Sequence, residues 1–143
     1  MSPIKYHYRI GIDPGRNTGL ALYKTETRSL VALRTVKIHE AFRQVLDLAM
    51  QFNVEVVIEN PNLWTHFHKT KNAKAKLQGA GSVKRDFSAW QDFLKDHGIP
   101  YRTARPDKTR NSFAVDNKLF TSLTGYTERC SEHARVAAML VWR

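Results

Sequence analysis

The run Val54-Glu55-Val56-Val57-Ile58 constrains the fold more than any other stretch of the chain. Its side chains are β-branched and apolar except for Glu55, and they do not alternate with polar ones. Such a strand is buried on both faces, so it belongs inside a sheet that carries helices on either side. Ahead of it, Phe42, Val45, Leu46, Ala49 and Phe52 recur at helical spacing and predict an amphipathic helix over His39–Gln51. Earlier still, Tyr8–Ile12 reads as a strand running into the turn Pro14-Gly15. Gly19–Tyr23 and Leu30–Val36 then complete an antiparallel meander. Strand, helix and second buried strand in this order imply a right-handed crossover back into one sheet.

Downstream, Ser82 is a candidate cap for a second helix. Its apolar stripe is Val83, Phe87, Trp90, Phe93 and Leu94, and Gly98 is its stop. The Phe87, Trp90 and Phe93 stripe reads as core, with part of it available for sharing across a two-fold axis. Ile99–Ala104 offers a last short strand, Arg105–Gly125 is basic and mixed, and Ser131 caps an alanine-rich helix through Val141. The expected order is β-β-β-α-β-α-β-α, an α/β fold with a mixed sheet and helices on its faces. At 143 residues, with no repeat or linker, the whole chain 1–143 is expected to form one domain. No apolar run is long enough to span a bilayer and no signal-peptide layout opens the chain, so a cytoplasmic location is expected. The single Cys130 excludes an internal disulfide framework and a cysteine-rich zinc site.

Charge narrows the partners. Lys and Arg number 23 against 13 Asp and Glu, a net of +10, which favours binding a polyanion through counterion release. No acidic residue occurs from Asn60 to Arg85, while Lys69, Lys71, Lys74, Lys76, Lys84 and Arg85 accumulate there. Solvated surface ordinarily mixes the signs, so this stretch reads as a phosphate-facing segment. Arg105 and Arg110 extend the basic character nearer the C-terminus. Trp64 and Phe67 lie at the start of the basic segment and suit stacking on unpaired bases, or equally a place at the domain edge.

Two acids stand at the ends of predicted strands: Asp13 in Gly11-Ile12-Asp13-Pro14-Gly15 and Glu59 in Val56-Val57-Ile58-Glu59-Asn60. Either alone reads as a turn-capping acid. If the two strands are parallel neighbours, both carboxylates emerge at one edge, where they repel unless a divalent cation lies between them. There is no phosphate loop, dinucleotide fingerprint or nucleophile elbow to support a competing chemistry.

Ile10-Gly-Ile-Asp-Pro-Gly-x2-Thr-Gly19, Val57-Ile-Glu-Asn60 and Glu132-His-Ala-Arg-x-Ala-Ala-Met-Leu140 together resemble the RuvC family of Holliday-junction resolvases. The resemblance spans nearly the whole chain. It implies a five-stranded ribonuclease H-like fold whose first three strands are antiparallel. It also implies a homodimer that nicks two strands of a four-way DNA junction symmetrically, with two Mg2+ or Mn2+ ions, in recombination and repair in a bacterial or phage-infected cell. Asp13, Glu59 and His133 fall on the family's metal ligands, and Lys108 and Lys118 are candidates for its catalytic lysine. A fourth ligand, three residues after His133, is expected to be Asp, and here it is Val136. Three readings of Val136 stay open: a substitution made to trap protein on uncut DNA, a natural loss of activity, or ligation by Glu132 instead. Two other functions also remain open, a protein that binds branched DNA without cutting it and a ribonuclease H-like nuclease for another DNA or hybrid substrate.

Overall fold

The computed structural model describes residues 5–63 and 73–143, with residues 73–80 described as backbone only. Trp64, Phe67, Lys69 and Lys71 therefore lie outside the described residues. Five strands form one sheet: β1 (Tyr8–Asp13), β2 (Asn17–Lys24), β3 (Ser29–Lys37), β4 (Val54–Glu59) and β5 (Tyr101–Ala104). Their order across the sheet is β3-β2-β1-β4-β5. β1 to β3 are the predicted antiparallel meander, and β4 lies parallel to both β1 and β5. Among the described residues the helices are α1 (Ile38–Gln51), α2 (Ala73–Asp96), α3 (Lys108–Val115), α4 (Asn117–Thr124) and α5 (Glu132–Val141), with a 3-10 turn at Pro61–Leu63. None of the helices among the described residues is long and apolar enough to cross a membrane.

Alternation along the strands divides the core in two. Ile10, Ile12, Val54, Val56 and Ile58 point to one face, where they meet Ala41 and Val45 of α1 and Phe87, Trp90 and Leu94 of α2. Val57 points to the other face, beneath Ala114, Phe120 and the buried side of α5. The central strands β1 and β4 are thus covered twice, as the apolar run in β4 requires. On the α2 stripe Phe87 and Trp90 are buried, and half-buried Phe93 stacks on Phe42 of α1.

Two predictions for the chain between the strands differ from the structure. Ser82 does not begin a helix; α2 starts at Ala73 and runs through Gly79, Gly81 and Ser82. A mid-helix glycine costs about 1 kcal/mol in propensity, which the buried contacts of the later turns offset. Arg105–Gly125, to which the expected order assigns no helix, holds α3 and α4. Asp107 caps α3 by accepting from the Arg110 amide, Asp116 caps α4 by accepting from the Lys118 and Leu119 amides, and Gly125 closes α4 with positive φ.

Alanines dominate α5 because its backbone lies against the sheet. A β-carbon on Gly11 would run into the Ala137 carbonyl, and one on Gly19 into the His133 carbonyl. The glycines of the first motif thus let α5 settle directly on β1 and β2. Its N-cap Ser131 accepts from the Ala134 amide and also hydrogen-bonds Thr35 of β3. Buried Arg135 donates to the carbonyls of Ala114 and Cys130, at 2.6 and 2.8 Å, and so fastens α3 to α5.

Candidate active site

Asp13 ends β1 and Glu59 ends β4. The parallel register pairs Gly11 with Val57 and Ile12 with Ile58. One further step along both strands sets Asp13 beside Glu59. Both carboxylates share the face of Gly11 and Val57, the side covered by α5 and α3. The two acids therefore meet at one edge of the sheet, where parallel pairing of their strands is expected to place them.

α5 brings the third predicted residue. Gly19 is opposite Asp13 in the β1–β2 pair and lies under the His133 carbonyl, so the start of α5 is pressed against the end of β1. His133 Nδ1 stands 3.0 Å from Asp13 Oδ2. That hydrogen bond holds the imidazole above its ordinary pKa, outweighing the opposite effect of partial burial.

Glu59 is the buried member, with 6% of its surface exposed. Burial first, and then the negative charge of Asp13, push its carboxyl above the usual carboxylate range. Arg110 and Asn111 pull in the other direction without cancelling this. Arg110 Nη2 lies 3.8 Å from Glu59 Oε2, a loose ion pair rather than a hydrogen bond. Four buried side-chain polar atoms among the described residues have no hydrogen-bond partner, and three of them are here: Glu59 Oε2, Arg110 Nε and Asn111 Oδ1. Orphaned polar atoms concentrated at one place mark a site built for a polar or charged ligand.

The residues fit one divalent cation. A buried carboxylate oxygen without a partner, next to a second carboxylate, supplies donors of the type that Mg2+ and Mn2+ accept, and such ions commonly keep water and substrate phosphate as their other ligands. Among the described residues no three His, Cys, Asp or Glu side chains are grouped to hold an ion by themselves. Val136 adds nothing to the set, since it is half-buried and packs against the apolar cluster of α5. Glu132 is exposed in the first turn of α5 and pairs with no described residue.

Lys108 and Lys118 are exposed, and neither pairs with a carboxylate among the described residues. The cation beside Glu59 is Arg110, which in the sequence stands out only as one of the basic residues expected to face DNA. Its signal was the Asp107 cap three residues earlier, which starts a helix and turns position 110 back toward the sheet. Lys84, Arg85 and Arg105 are exposed, and Lys74 and Lys76 fall on the backbone-only turns of α2.

The two raised pKa values predict how the metal-free chain responds to pH. In both groups the folded state holds its proton more tightly than the unfolded state, so the folded state binds more protons. The stability each contributes is fully present below the unfolded value and is lost as pH rises through the folded one. With a chelator present, Tm should fall by a few degrees as pH climbs from about 5 to 8, first through Glu59 and then through His133. Glu59→Gln should flatten the acidic part of that decline and His133→Gln the part near neutrality. Melting curves with unchanged slopes in both variants would contradict these assignments.

No protein-family model matches this sequence, and no curated protein matches it. Among solved structures, the chain is similar to the RuvC of T. thermophilus in complex with a Holliday junction substrate. The identity is 17% and the TM-score 0.57, over 94% of this chain and 90% of that one. The large terminase nuclease of the thermophilic phage G20c is a looser match. Its zinc-bound structure gives 15% identity and a TM-score of 0.40 over 98% of this chain and 82% of that one. A second structure of the same nuclease gives 17% and 0.42 over 98% and 83%. The similarity to RuvC establishes the fold, a ribonuclease H-like mixed sheet flanked by helices, which is the fold implied by the three sequence motifs.

Proposed function

We propose that this chain is a divalent-metal-dependent DNA endonuclease that acts on four-way junctions and cuts two strands symmetrically as a homodimer. The observation that carries the reading is the pair Asp13 and Glu59 at the ends of adjacent parallel strands, with Glu59 Oε2 buried and unpartnered. The RuvC fold supports the substrate class, because the T. thermophilus protein with that fold is bound to a Holliday junction. The net charge of +10 supports a nucleic-acid partner. A junction has two-fold symmetry, so paired nicks call for one site from each of two chains.

Within the site, Asp13 and Glu59 would hold Mg2+ or Mn2+. The ion, when bound, makes a water more acidic and offsets the negative charge of the phosphate undergoing attack. His133 keeps a proton at Nδ1 shared with Asp13 and fixes that carboxylate's orientation. Lys108 and Lys118 each sit in the first turn of a helix, where a positive side chain opposes the helix dipole. Placed there, they add to the positive potential of the helix ends and suit the DNA backbone better than they suit the isolated helices. The donors present serve one ion. A second ion, which the sequence resemblance implies, would find no ligand at Val136.

That residue favours one further reading, junction binding without efficient cutting in this chain. Recognition itself is tested apart from chemistry, by comparing affinities for a synthetic four-way junction, linear duplex and RNA–DNA hybrid at one salt concentration with chelator present. The junction should bind at least tenfold more tightly than either linear form. Equal affinities would remove junction selectivity.

A further inference from the structure

Each acid has a nitrogen-bearing partner of its own: His133 Nδ1 stands 3.0 Å from Asp13, and the Arg110 guanidinium stands 3.8 Å from Glu59. The two are held differently. His133 has a side chain 62% exposed, and its contact with Asp13 lies at the surface. Arg110 is 21% exposed and anchored from behind, since its Nη2 donates to the Arg105 carbonyl at 2.7 Å and its amide is tied to the Asp107 cap. Its guanidinium is too far from Glu59 for a hydrogen bond, and its Nε is buried without a partner. This arginine therefore has donors to spare beside a carboxylate that it attracts without a hydrogen bond.

We propose that Arg110 is a switch coupling substrate to metal: in the free chain its charge competes with a divalent cation for Glu59, and a DNA phosphate entering the site draws the guanidinium onto itself and releases Glu59 to the ion. A guanidinium prefers two-pronged hydrogen bonds to a phosphate over a loose pairing at this distance. Once the phosphate takes it, phosphate and cation bind with positive cooperativity, and linkage requires that each raise the other's affinity by the same factor. The device would keep the site poorly loaded until DNA arrives. It rests on the metal-site reading of Asp13 and Glu59, and it adds Arg110 as a positioning residue for both ligands.

Mn2+ affinity of the whole chain, followed by the electron-spin signal of free Mn2+ at low temperature, tests this without relying on cleavage. The titration is run with and without saturating four-way junction, on wild type, Arg110→Ala, Arg110→Gln and Glu59→Gln. Arg110→Gln removes the charge while keeping a donor for the Arg105 carbonyl, so it covers the case in which Arg110→Ala disturbs folding. In the absence of DNA, the Arg110 variants should bind Mn2+ at least fivefold more tightly than wild type. Junction should tighten Mn2+ at least fivefold in wild type and less than twofold in the Arg110 variants. Glu59-dependent Mn2+ binding that is unchanged or weakened in Arg110→Gln would overturn the switch and leave the metal site standing. Mn2+ binding absent from wild type even with saturating junction, or equal in Glu59→Gln, would overturn both.

Discussion

Exchanging Glu59 for Gln, or Asp13 for Asn, should lower junction nicking by at least about a hundredfold to a thousandfold, the scale on which a single electrostatic partner of a transition state acts. The folded chain should tolerate both changes. Gln conserves the volume of a side chain that is 6% exposed, and removing its charge relieves the repulsion from Asp13 that already raises its pKa. Asn at position 13 keeps an oxygen or amide group for the hydrogen bond with His133. Junction affinity in chelator should be unchanged or stronger, because one negative charge fewer faces the approaching phosphate. Electrophoretic binding and nicking assays on the same preparations separate the two effects. Full nicking by either variant would eliminate the carboxylate pair as the centre of the chemistry.

The second large effect is a gain. Val136→Asp should speed junction nicking at least tenfold. Position 136 follows His133 by three residues on α5, so the two share a helix face and a new carboxylate would project toward the same edge of the sheet. Val136 is only partly buried against the α5 cluster, so an Asp there should lower stability by about 1–2 kcal/mol and leave the chain folded. Val136→Ala provides the control, since it loosens the same packing without supplying a donor. If Val136→Ala and Val136→Asp changed the rate alike, the effect would come from packing and not from ligation.

The framework of the fold was legible because burial writes itself into side-chain pattern. The unalternating β-branched run in β4 announced a doubly covered strand, and the regular spacing of Phe42, Val45 and Ala49 announced α1. Asp13 and Glu59 could be singled out because each closes an apolar strand, and the parallel pairing of β1 with β4 then follows from the order of the elements. Gly11 and Gly19 were visible as motif residues, but their purpose was not. Only the packed structure shows α5 backbone lying where any β-carbon would stand.

What escaped had weaker periodicity. α3 and α4 are only eight residues each, too short for an apolar stripe to stand out, and their signature lay in the caps Asp107 and Asp116 and the stop Gly125. With α3 unseen, Arg110 read as one basic residue among many. Its position beside Glu59 depends on contacts distant in sequence, including the clamp of Arg135 on the Ala114 carbonyl. In α2 the local glycines argued for a break that the helix does not make.

A carboxylate pair that cuts branched DNA with a divalent ion must leave its nicks at positions set by the junction's symmetry. The most direct measurement is a map of nick positions on an end-labelled four-way junction incubated with Mn2+ and the Val136→Asp chain, beside the same chain also carrying Asp13→Asn. Paired nicks at two-fold-related positions on opposing strands, absent from the Asp13→Asn chain and abolished by chelator, are the predicted result. No paired nicks from Val136→Asp, or the same nicks with Asp13→Asn, would contradict it.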